Sequence, residues 1–78
     1  MITLEQKLIC NNNEHHLHTA SQENYISGVT SGAFKEVFKV YKQIYPQDKQ
    51  SYSQSCAWCV LQVFRKVGMW YLNEKLKQ

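Results

Sequence analysis

Residues 31–46 read SGAFKEVFKVYKQIYP, and this stretch decides the fold class. Phe34, Val37, Phe38, Tyr41, Ile44 and Tyr45 fall within ~120° of arc at 100° per residue, the apolar stripe of an amphipathic helix. Lys35, Lys39 and Lys42 recur at i, i+4 and i+7 on the opposite side. Pro46 ends the run, because a proline pushes the residue before it out of helical backbone. Residues 47–50 are a polar connection.

Beyond that connection, residues 53–76 read SQSCAWCVLQVFRKVGMWYLNEKL. The pattern predicts a second, longer helix of ~35 Å at 1.5 Å rise per residue. Ser51 and Gln54 have capping-box spacing at its start. One broad arc takes Cys56, Ala57, Cys59, Val60, Leu61, Val63, Phe64, Val67, Trp70 and Tyr71. The expected core sets Phe34, Val37, Phe38, Tyr41, Ile44 and Tyr45 against Val60, Val63, Phe64, Val67, Trp70 and Tyr71.

Upstream, the signals are shorter. Thr3 and Gln6 have the spacing of a capping box, which predicts a helix over residues 3–9 with Leu4 and Leu8 on one face. Asn11, Asn12 and Asn13 should break it, since asparagine competes with the helix for backbone hydrogen bonds. Residues 14–20, EHHLHTA, read equally as a helical turn or a loop. Thr19 and Gln22 repeat the capping spacing and predict a helix over 21–29, with Tyr25, Ile26 and Val29 as its apolar face. Gly28 and Gly32 bracket its end.

The expected architecture is therefore all-α, a small three- to four-helix bundle with a long C-terminal helix. It forms a single domain over residues 1–78. Within it, residues 1–30 are an acidic, His-bearing lead with short helices, and residues 31–78 are a helix–turn–long helix unit. A 78-residue chain has room for one domain, and 44% hydrophobic and 13% aromatic residues with one proline place it among globular proteins. The densest apolar run, residues 57–64, is interrupted by Gln62 and ended by Arg65 and Lys66, too short to cross a membrane. The opening MITLEQKLIC lacks a basic stretch followed by an apolar one, so it does not read as a signal peptide. The three cysteines are then expected to be reduced thiols in a cytosol, and their odd number argues against a closed disulfide framework.

Four constellations bear on function. The first is a second stripe on the long helix: Trp58, Gln62, Arg65, Met69, Leu72 and Leu76, at intervals of 4, 3, 4, 3 and 4. This is the ladder of a helix-pairing seam, and Trp and Arg are types enriched at interfaces. It predicts a surface for a protein partner or for self-association, unless the first 20 residues fold back over it.

The second is Cys56-x-x-Cys59, a spacing used by zinc sites and by redox pairs. With Cys10 and His18, or His15 or His16, it makes a formal Cys₃His set for a zinc-stabilised adaptor. The pair is expected inside an apolar helical run, where small buried thiols pack as ordinary core residues. A redox role calls for a βαβ setting that the pattern lacks. The histidines read as a solvated cluster, and no cofactor is expected.

The third is the basic stripe of Lys35, Lys39 and Lys42 with Arg65, the alternative reading of nucleic-acid contact. Net charge is +3, with −2 over residues 1–33 and +5 over residues 34–78. A sequence pI ≈ 8.8 and one arginine are modest for a nucleic-acid binder. The fourth is an absence of enzyme signatures: no phosphate-binding glycine loop, no H-E-x-x-H and no nucleophile elbow. Neither catalysis nor a small-molecule substrate is expected, since a pocket of ~300 Å³ is hard to build in so small a helical chain.

The run over residues 38–71, FKVYKQIYPQDKQSYSQSCAWCVLQVFRKVGMWY, resembles small helical C-x-x-C proteins of phages and prophages of Bacteroides-type bacteria. Those share an aromatic-rich helix ending in I-Y, a short polar connection, and C-x-x-C opening a long helix. The matching positions are Ile44, Tyr45, Cys56 and Cys59. This chain differs in having Ala57 and Trp58 between the cysteines and one arginine, Arg65, after them. The resemblance implies a mobile-element setting, a phage accessory or virion protein in a bacterial host, with no reaction attached.

Overall fold

The computed structural model describes residues 2–48, 52–53 and 55–76. Four helices follow in order: α1 (Leu4–Asn12), α2 (Glu14–Gln22), α3 (Ser31–Ile44) and α4 (Ala57–Leu76). They pack on one another as a small all-α bundle, with no strand among the described residues. At 1.5 Å per residue, α4 is ~30 Å long, against a longest molecular dimension of 34 Å.

The start of α1 follows from its capping box. Thr3 Oγ1 accepts the Gln6 backbone N–H at 3.1 Å, and Gln6 Oε1 accepts the Thr3 N–H at 3.0 Å. The Gln6 side chain also donates to Gln43 Oε1 at 2.7 Å, which ties α1 to α3. The buried face is Gln6, Ile9 and Cys10, whereas Leu4 and Leu8 are exposed.

The asparagine run breaks the helix at Asn13, not before it. Asn13 is buried, its Nδ2 donates to the Ile9 carbonyl at 2.8 Å, and its own carbonyl accepts the Leu17 N–H at 2.9 Å. One residue thus ends α1 and begins α2. The helix predicted over residues 21–29 is displaced to Glu14–Gln22, and its supposed cap does something else. Thr19 Oγ1 donates back to the His15 carbonyl at 2.8 Å, inside α2. Residues 23–30 are irregular, with Asn24 at φ 54° and Gly28 at φ 70°, both left-handed turns of the chain. Tyr25 is exposed there, and Ile26 and Val29 are half-buried against the core.

Thr30 caps α3 by accepting the Ala33 N–H at 3.1 Å. Phe34, Val37, Val40 and Tyr41 are its buried face, and Phe38 and Ile44 are partly buried. Tyr45, expected in the core, is 39% exposed, because the helix ends at Ile44 and its backbone turns away before Pro46. Tyr41 is enclosed, so its hydroxyl must find partners. It donates to the Asp48 carboxylate and lies 3.3 Å from the Tyr52 hydroxyl, which itself donates to Asp48 at 3.2 Å. Burial and these contacts push the Tyr41 phenol pKa well up.

On α4 the buried residues are Val60, Val63, Phe64, Val67, Gly68 and Tyr71, with Trp70 and Leu61 partly covered. The lead segment supplies much of the cover. Cys10, Leu17 and Ala20 are fully buried, and α2 makes the broadest contact with α4. Each fully buried Val, Leu or Phe contributes ~1.5–3 kcal/mol over leaving it in water. Tyr71 donates to Asn11 Oδ1 and fastens the far end of α4 to α1.

Candidate interaction face and dithiol

Helices α2 and α3 pack on the buried, valine-rich side of α4, and α1 packs on α3 and α2, so the first two helices leave the second stripe of α4 largely uncovered. Trp58 is 57% exposed, Met69 54% and Leu76 85%. Arg65 is exposed, and Gln62 and Leu72 are half-buried along the same line. All six side chains lie on one helix with i, i+4 and i+3 spacing, so they form one continuous ridge.

Beside the C-terminal half of this ridge runs an open groove of ≈ 500 Å³, lined by Gln22, Tyr45, Met69, Trp70, Leu72, Asn73 and Leu76. Its walls are the ends of α2 and α3 and one side of α4. The groove corrects the expectation that the chain has no room for a concavity. It exists because α3 stops at Ile44 while α4 continues to Leu76, leaving an unfilled corner. Tyr45 and Gln22 belong to this site and were missed: a helix-end tyrosine before a proline reads as core, and only the packing turns it into a wall. A smaller cleft of ≈ 260 Å³ is lined by Ile44, Tyr45, Pro46, Gln47 and Asp48.

The C-x-x-C pair straddles the start of α4, with Cys59 inside its first turn and Cys56 outside it. Cys56 precedes α4 and acts as its cap. Its carbonyl accepts the Val60 N–H at 3.1 Å, and its Sγ accepts the Cys59 backbone N–H at 3.3 Å. A turn delivers it there: the Ser53 carbonyl accepts the Cys56 N–H at 3.1 Å, and Ser53 Oγ accepts the Ser55 N–H at 3.2 Å. The expected helix start near residue 53 gives way to this turn, and the Ser51/Gln54 capping box lies outside the described residues. Cys56 and Cys59 are half-buried free thiols; Cys59 packs against the edge of the core, as expected, whereas Cys56 is not among the residues that pack there. The Cys59 thiol and the backbone amides of Cys59 and Trp58 hold Cys56 below the ordinary thiol pKa. The neighbouring Cys56 sulfur holds Cys59 above it.

The formal zinc set is not assembled. Cys10 is fully enclosed in α1, where burial pushes its thiol up to about 11, while His18 is exposed on α2. Among the described residues, no three His, Cys, Asp or Glu side chains stand together as a metal site. His16 packs edge-on against the Phe64 ring, with centroids 6.2 Å apart.

The lysine stripe is exposed but partly engaged. Lys39 Nζ lies 2.7 Å from Glu5 Oε1, and Lys42 Nζ sits 5.4 Å from the Phe38 ring centroid. Lys35 is exposed on the same helix, and Arg65 lies on α4 within the apolar ridge. No helix among the described residues is long and apolar enough to cross a membrane.

No protein-family model matches the chain, and neither a curated protein sequence nor a solved structure does.

Proposed function

We propose that the protein is a non-enzymatic interaction module that binds another helix through the Trp58–Gln62–Arg65–Met69–Leu72–Leu76 ridge, the helix being that of a second copy. The exposed ridge carries this reading. Leaving Trp58, Met69 and Leu76 in water forgoes burial worth ~1.5–3 kcal/mol per large side chain.

The spacing favours self-pairing in one orientation. The intervals 4, 3, 4, 3, 4 read the same in both directions. An antiparallel pair with its two-fold axis near Val67 sets Trp58 against the partner's Leu76, Gln62 against the partner's Leu72, and Arg65 against the partner's Met69. Trp58 then meets the mouth of the partner's groove beside Leu72 and Leu76, the position of an aromatic anchor in a pocket. A parallel pair would instead stack Arg65 on Arg65, a like-charge contact in the middle of an apolar seam.

A single helix pair lies at the low end of interface sizes, below ~1,200 Å² in total, so the expected dimer is of roughly micromolar affinity. Sedimentation from about 1 μM to about 1 mM should follow a monomer–dimer equilibrium, and Trp58→Glu should shift it at least about 30-fold toward monomer. A chain that stays monomeric throughout overturns self-pairing. Nucleic acid is the alternative partner, and the engagement of Lys39 with Glu5 weighs against it. A phage or mobile-element accessory or virion protein is the setting in which we place this module, on the resemblance of residues 38–71.

A further inference from the structure

We propose that Cys56 and Cys59 are a redox-active dithiol that reduces low-molecular-weight disulfides by thiol–disulfide exchange. The inference goes beyond the binding role and does not rest on it. Three observations place the chemistry here. Cys56 sits at the cap of a 20-residue helix, outside its regular backbone, with its sulfur accepting the Cys59 N–H at 3.3 Å. Cys59 follows one turn later on the same helix, three residues on, so its own thiol belongs to the same turn as the Cys56 sulfur that its backbone N–H contacts. Neither is sealed: both are partly exposed, Cys59 at the edge of the core and Cys56 outside the regular helix where a small disulfide from solvent meets it first, whereas the third cysteine, Cys10, is enclosed in the core.

The two sulfurs are unequal, as a nucleophile and a resolving thiol must be. Amides at a helix start stabilise a negative sulfur, and they converge on Cys56. The neighbouring Cys56 sulfur holds Cys59 above the ordinary thiol range, so Cys59 is the thiol that keeps its proton longer. The βαβ setting expected for such a pair contributes a helix start and an accessible cap, and α4 supplies both. Neither of the two grooves described above is lined by Cys56 or Cys59, which favours a small disulfide over a bound peptide.

The exchange balances without another oxidant. The Cys56 thiolate attacks one sulfur of the substrate; that S–S bond breaks, a mixed disulfide forms, and the first substrate thiolate leaves. Cys59 gives its proton to solvent and attacks the Cys56 sulfur. The mixed disulfide breaks, the Cys56–Cys59 bond forms, and the second substrate thiolate leaves and takes up a proton. Two electrons pass from the dithiol to the substrate, which departs as two thiols.

Oxidised glutathione is the probe. At about pH 7 the native chain should release two equivalents of reduced glutathione and lose two hydrogens, mapped by peptide mass to the Cys56–Cys59 segment. Cys59→Ser should stop at a glutathione adduct on Cys56, and Cys56→Ser should react at least about tenfold more slowly. Far-UV circular dichroism checks that both variants fold. Should either fail, limited iodoacetamide labelling of the native chain decides, with Cys56 alkylated first. Labelling that favours Cys59 or Cys10, a stable adduct on the native chain without closure, or equal rates for Cys56→Ser and the native chain would overturn the proposal.

Discussion

Gly68 of α4 lies directly beneath the Leu17 carbonyl of α2. A Cβ built at Gly68 would stand 2.6 Å from the Leu17 oxygen and 3.2 Å from Ser21 Cβ. The contact is with backbone, which cannot swing aside as a side-chain tip can. The absent side chain is thus what lets α2 lie close on α4.

Gly68→Ala is expected to destabilise the fold by about 1–3 kcal/mol, although alanine is the better helix former by ~1 kcal/mol. Gly32→Ala is the contrast, since nothing lies within 4 Å of its Cβ position in the first turn of α3. It should stabilise by about 0.5 kcal/mol. Urea unfolding of the two variants checks the pair, and equal signs would refute the close approach.

Stability should fall at alkaline pH. Cys10 titrates at about 11 in the folded protein, against about 8.5 in an unfolded chain. A raised folded-state pKa means that the unfolded chain releases the proton first. The contribution of Cys10 is therefore complete below about pH 8.5 and is lost as pH rises toward 11, at most about 1.4 kcal/mol per pH unit. Tyr41, also raised, adds to the loss above about pH 10. Thermal melts between about pH 8 and 11 should show Cys10→Ala with a shallower slope than the native chain.

The orientation of the proposed dimer has its own test. Antiparallel pairing faces Met69 with the partner's Arg65, so Met69→Glu should gain an ion pair and weaken association less than Trp58→Glu does. Trp58→Glu should cost at least about 2 kcal/mol of association, roughly 30-fold in Kd. Its effect on monomer stability should stay within about 0.5 kcal/mol, because the side chain is exposed. Parallel pairing predicts no such advantage for Met69→Glu, because each variant would then set its two introduced carboxylates against each other. Sedimentation equilibrium of the two variants separates these outcomes.

Thr3 and Gln6 differ in what they hold. Thr3→Ala removes one cap and should cost about 1 kcal/mol. Gln6→Ala removes the reciprocal half of the box and also the 2.7 Å bond to Gln43. It should cost more, about 1–2 kcal/mol, as judged by the chemical denaturation midpoint.

Local physics made several elements legible in the sequence. The stripe of Phe34, Val37 and Tyr41 set α3, Pro46 set its end, and the Thr3/Gln6 pair set the start of α1. Each depends on neighbours within one turn, so the chain carries the information in order. The ridge from Trp58 to Leu76 was legible as a stripe for the same reason. Its exposure was not, because that depends on which face of α4 the first two helices choose.

Helix α2 was legible only as one of two readings of residues 14–20, because its apolar face is short and its start at Asn13 carries no side-chain cap. Leu17 and Ala20 are its only buried residues, and its helicity is owed to packing on Gly68, far away along the chain. Cys56 escaped because a helix start fixed by the turn over residues 53–56 looks, letter by letter, like a helix already under way. Spacing and caps that act over a few residues suffice to specify an all-α chain with a long C-terminal helix. Three further properties wait on the docking of distant segments: which face of that helix stays bare, where the groove opens beside it, and that the cysteine pair stands at the helix start. No local pattern encodes them, because each is set by residues that meet only once the bundle has formed.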